Sequence, residues 1–108
     1  MDKQVIEWFV GDIASVDVEV IPHFRWSSQL LIVIANKHGV KTVYLRLPLK
    51  SEIIESLFSI ANVDANEDGV KLSALIGRPV RYGTDADFNM ILASIYDDES
   101  MNVSMDLH

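Results

Sequence analysis

The stretch Asp64-Ala65-Asn66-Glu67-Asp68-Gly69 comes nearest to a known chemistry, because oxygen-bearing side chains at alternate positions end on a glycine, as in the opening of a calcium-binding loop. Such oxygens can converge on a hard cation while the glycine makes the sharp turn, and Val70 would add a backbone carbonyl. The second half of the pattern departs from that chemistry. The twelfth position, where a bidentate Glu is needed, is Leu75, and the eighth is Lys71. A polar loop with Asx turns at Asp64 and Asn66 accounts for the same residues without an ion.

Other chemistries find less to work with. The chain of 108 residues has no cysteine, so thiolate nucleophiles, disulfides and thiolate metal sites are excluded. No G-x-S-x-G elbow is present, and His23, His38 and His108 lack ligand spacing to one another. The five glycines form neither G-x-G-x-x-G nor a Walker loop. The expectation is a protein that is not an enzyme and carries no cofactor.

Charge is more informative. Nine Lys or Arg face sixteen Asp or Glu, a formal charge of −7. Up to Val63 acids and bases nearly balance, whereas residues 64–108 hold nine acids and three bases. A field of this sign opposes direct binding to nucleic acid, whose affinity comes largely from cations on phosphates. Arg25-Trp26 after Phe24, and Arg78, Arg81 and Tyr82, are the basic and aromatic residues that a single-strand binder would use for stacking. Solvation of an edge strand by the arginines that flank Pro79, and plugging of one end of the core by Phe24 or Trp26, are the better account of them. The acids fall in three groups: Asp64, Glu67 and Asp68; Asp85 and Asp87; Asp97, Asp98 and Glu99. If two groups share one end of the fold, they form an anionic patch suited to a basic protein surface. Acidic loops that simply keep a small domain soluble are the plain alternative. The candidate protein-binding residues are therefore Asp85, Asp87, Asp97, Asp98 and Glu99, with Trp26 as an aromatic anchor.

Positioning these residues falls to one small domain. Val16-Asp17-Val18-Glu19-Val20 alternates strictly, which predicts a strand with three valines inward, ended by Pro22. Val5 to Val10 predicts another strand. The run Gln29 to Ala35 predicts a strand in the middle of the sheet, covered on both faces. Asn36-Lys37-His38-Gly39 supplies a hairpin turn into Val40 to Leu47. Ile53, Ile54, Leu57, Phe58 and Ala61 recur at helical spacing behind Ser51, which predicts one covering helix from about Ser51 to Asn62 with Ser51 as N-cap. Leu72 to Ile76 reads as one helical turn, Pro79 to Tyr82 as a strand, and Phe88 to Tyr96 as its hairpin partner. Strands in blocks joined by short turns indicate an α+β domain with a mainly antiparallel sheet of about five or six strands. Residues 1–96 are expected to form that domain, and residues 97–108 an acidic C-terminal tail or short edge strand. The longest apolar run, Leu30 to Ala35, is far below a membrane span, and Glu7 stands where a signal sequence needs an apolar core, so the expected compartment is the cytoplasm.

The layout of early hairpins, a single helix, and Leu75-Ile76-Gly77-Arg78-Pro79-Val80-Arg81 leading into a final hairpin resembles small accessory proteins of phages and mobile elements, including anti-CRISPR and other anti-defence inhibitors. That resemblance implies an inhibitor that occupies a nuclease's basic nucleic-acid channel or blocks its assembly. An immunity protein against a basic toxin fits the same charge. A self-associating structural subunit is the reading of another class, in which the strand Gln29 to Ala35 and the alternation Met101, Val103, Met105 build a homo-oligomer at the sheet edges.

Overall fold

The two N-terminal strands expected from sequence are one. In the computed structural model, which describes residues 5–21, 27–64 and 71–104, β1 runs unbroken from Val5 to Ile21. It stays continuous because its halves have different neighbours. Val5 to Asp12 pairs with β4 (Pro79–Asp85), and Asp12 to Ile21 pairs with β2 (Ser27–Asn36), with a bulge between Ile13 and Ser15. Gly11 sits where the two pairings meet. A Cβ there would lie 2.6 Å from the Ala35 carbonyl oxygen, so only glycine allows β2 to approach this closely.

Strand β3 (Gly39–Arg46) returns along β2 through a two-residue loop, Lys37-His38, with Asn36 opposite Gly39. Asn36 ties this turn down twice. Its Oδ1 accepts from the His38 N–H at 2.7 Å, and its Nδ2 donates to the Val10 carbonyl at 2.8 Å. Beyond β4, β5 (Met90–Ala93) and β6 (Ser100–Asn102) complete an antiparallel six-stranded sheet in the order β3-β2-β1-β4-β5-β6. The fold is α+β, as the blocks of strands indicate.

One face of the sheet carries the core. Leu30, Ile32 and Ile34 of β2, Val43 of β3, Val80 of β4 and Leu92 of β5 point to it and are buried. Helix α1 (Ser51–Ile60) lays Leu57, Phe58 and Ile60 on them, followed by Ala61. A 3-10 turn at Leu72–Leu75 adds Leu75. Each fully buried Leu or Ile contributes roughly 1.5–3 kcal/mol, so this one layer of contacts carries most of the stability.

Four further expectations are corrected. Strand β2 is next to the β3 edge rather than central, and its Leu30, Ile32 and Ile34 face is buried; on the other face Gln29 is buried but Leu31, Val33 and Ala35 stay partly exposed, because the one helix among the described residues covers one face. Val16 packs on the core, but Val18 and Val20 are 62% and 52% exposed, since this end of β1 overhangs the layer that α1 covers. Ser51 is the first helical residue and makes no capping bond. Lys50 takes the N-cap position, its carbonyl accepting from Ile53 and Ile54. Strand β5 is shorter than Phe88 to Tyr96 because turns consume both ends, as described next. No helix among the described residues is long and apolar enough to cross a membrane.

Candidate functional site

Two acidic turns flank β5, and they use their carboxylates in opposite ways. Because β4 and β5 are antiparallel, the turn joining them and the loop leaving β5 lie at opposite ends of the strand. Asp85 and Asp87 therefore do not join Asp97, Asp98 and Glu99 in one patch.

In the β4–β5 turn, Asp85 is 1% exposed. Its Oδ1 accepts from the Asp87 and Asn89 backbone N–H groups at 2.9 and 3.0 Å, and its Oδ2 from Asn89 Nδ2 at 3.3 Å. The expectation that Asp85 supplies surface charge is thus corrected: its carboxylate organises the turn from inside, as Asx turns do. Asp87 is exposed. Phe88 beside it takes φ +64° and stands 83% exposed.

The β5–β6 loop is fixed from several sides. The Ser94 N–H donates to the Glu99 carbonyl at 2.9 Å, closing the loop. Inside it, the Tyr96 N–H donates to Ser94 Oγ at 3.0 Å and the Glu99 N–H to Asp97 Oδ1 at 2.8 Å. Arg81, on the sheet face away from the core, crosses over to hold it. Its Nε donates to the Ser94 carbonyl at 2.6 Å and its Nη2 to the Asp97 carbonyl at 3.2 Å. The same guanidinium lies 4.5 Å from the centre of the Trp8 ring, a cation–π stack on β1. Glu99 is tied to the helix, accepting from Ser59 Oγ at 2.6 Å. The frame leaves Ile95, Tyr96 (60%), Asp97 and Asp98 exposed.

The C-terminus of α1 sits at this same end. Arg78 Nε and Nη2 donate to the carbonyls of Ala61 and Asn62 at 3.0 and 2.9 Å, satisfying the orphan acceptors of the last turn. Exposed Asp64 follows two residues later. The acids brought towards one end are thus Asp64 with Asp97, Asp98 and Glu99. Arg78, Arg81 and Tyr82, all within five consecutive positions, have separate structural tasks: a helix cap, a loop clamp, and a buried ring whose hydroxyl contacts Met90 Sδ at 2.8 Å. Burial pushes the Tyr82 phenol above its ordinary pKa.

Trp26, Phe24, Arg25, His23, His108, Asn66, Glu67 and Asp68 lie outside the described residues. Among the described residues no three His, Asp or Glu side chains gather as a metal ion would require. A shallow cleft of about 460 Å³ opens where β1 and β4 pass the β2–β3 hairpin, between Phe9, Tyr82, Thr84 and Lys41, with Lys41 Nζ 5.9 Å above the Phe9 ring. Ile95, Tyr96 and Phe88 went unmarked in the sequence because they read as strand residues. The signal that separates them is a local one: Ser94 and Asp85 are residues that bond their own backbone two positions on. No known protein-family model, curated protein or solved structure matches the chain.

Proposed function

We propose that this is a non-catalytic binding protein that docks on a basic protein surface through the β5–β6 loop, acting as an inhibitor of a nucleic-acid enzyme. The observation that carries this reading is the exposure of Ile95 and Tyr96 beside Asp97 and Asp98 on a loop clamped by Arg81, Ser94 and Glu99. An aromatic ring and an aliphatic side chain provide the area that anchors an interface, and adjacent carboxylates speed encounter with a cationic partner. Clamping keeps the ordering entropy low on binding. A surface that normally receives phosphates is the basic partner such a loop fits, so its occupation would exclude nucleic acid. Tyr96 takes the anchor role assigned to Trp26 from sequence.

The test is capture of partners on the immobilised protein at low and high salt. A cationic nucleic-acid enzyme is expected to bind and to be released as the Debye length falls below about 8 Å. Tyr96→Ala and Asp98→Lys should each abolish capture, while Asp87→Lys at the other end of β5 should leave it intact. Capture lost with Asp87→Lys and retained with Asp98→Lys would move the contact to the wrong turn and overturn the assignment.

A further inference from the structure

The alternation that buries Leu30, Ile32 and Ile34 sends Leu31, Val33 and Ala35 to the other face of β2, where no helix among the described residues covers them. On β3 the residues facing that way are Val40, Thr42, Tyr44 and Arg46, with Val40 and Tyr44 exposed. On β1 they are Ser15, Asp17 and Glu19. The register places these in rows across the three strands. One row is Glu19, Gln29, Arg46, in which Gln29 is buried and its Nε2 donates to Glu19 Oε1 at 3.3 Å, leaving the second Glu19 oxygen for a further donor; the next is Asp17, Leu31, Tyr44; the next is Ser15, Val33, Thr42. Acid thus lies on one side of a centre formed by Gln29, Leu31 and Val33, and base and phenol on the other.

This pattern is self-complementary under one operation. A twofold axis running along β2, between two sheets stacked face to face, keeps each row in place and exchanges β1 with β3. Glu19 of one copy then meets Arg46 of the other, twice; Asp17 meets Tyr44, twice; Leu31 and Val33 meet their own equivalents on the axis. Stacked sheets about 10 Å apart interdigitate apolar side chains in this way, and their shallow mutual rotation leaves rows next to the centre in register. Isologous pairing of a single patch is the commonest route to a dimer. Arg46, with five N–H donors, can serve the partner's Glu19 alongside contacts in its own chain. We infer that the open face of β1, β2 and β3 binds a second copy of this chain, as a twofold dimer with β2 against β2. The surface is separate from the β5–β6 loop, so this inference and the proposed function stand or fall independently.

Sedimentation equilibrium of the full chain tests it. The wild type should be a dimer at micromolar concentration. Val33→Lys, which sets two like charges together on the axis, should weaken the dimer by about 100-fold or more. Glu19→Arg and Arg46→Glu should each weaken it by about tenfold, and the double variant Glu19→Arg/Arg46→Glu should recover most of the loss. All three positions lie outside the core face, and circular dichroism checks that each variant folds. A wild type that stays monomeric at about 100-fold higher concentration overturns the inference, as does a dimer indifferent to Val33→Lys, or a double variant no better than the singles.

Discussion

Asp85 and Asp98 are both aspartates in turns at the ends of the same four-residue strand, yet one is buried and the other exposed to solvent. Asp85 is enclosed by the backbone it organises, accepting from Asp87 and Asn89. At the other end, Asp97 and Ser94 side chains bond the loop's own backbone and Arg81 grips its carbonyls, which frees Asp98 to face outward. The lesson is that acidic residues in a turn cannot be counted as surface charge until their backbone donors are accounted for.

The sharpest way to break that contrast is to remove each carboxylate. Asp85→Ala leaves the Asp87 and Asn89 N–H groups without their acceptor and empties a buried side-chain site, and should lower stability by about 2 kcal/mol, whereas Asp98→Ala should stay within about 0.5 kcal/mol, both read from urea midpoints. Next in size, Arg81→Met removes two charge-assisted bonds and the Trp8 stack. A loss of about 2 kcal/mol is expected, with faster hydrogen exchange confined to residues 95–99. If exchange rises equally at both ends of β5, Arg81 is supporting the sheet and not the loop. A smaller, opposite effect is expected at the other turn: Phe88→Gly relieves a left-handed backbone and should raise stability by about 1 kcal/mol in thermal unfolding. The smallest effect concerns Tyr82, which packs against the start of β5. Its folded pKa is raised by burial, so its contribution is fully present below the unfolded phenol's value near 10 and is lost as pH rises through the folded value. Tyr82→Phe should remove that alkaline decline from a pH series of midpoints.

Sequence reading reached the sheet and helix because their signals are periodic. Ile53, Ile54, Leu57, Phe58 and Ala61 define α1, and Asn36 to Gly39 define the hairpin, through spacings set by backbone geometry. What it could not reach depends on pairing between distant segments. That β1 is one strand follows from β2 and β4 each taking half of it, which no local pattern encodes. The valines at 18 and 20 alternate as buried residues do, yet their burial depends on how far α1 extends. Whether acidic groups share an end is a matter of strand direction, and the roles of Arg78 and Arg81 are invisible until their distant carbonyl partners are placed.

The divided pairing of β1 also sets a schedule for assembly. Val5 pairs with Asp85, whereas Asp12 to Ile21 finds β2 within the next segment of chain. During synthesis the second half of β1 can join β2 and β3 early, while its first half keeps an unpaired edge until β4 emerges. Contacts this far apart in sequence slow folding, and an open edge in the meantime invites pairing with other chains. Expression at lower temperature, or with a chaperone that shields nascent strands, should therefore raise the soluble yield.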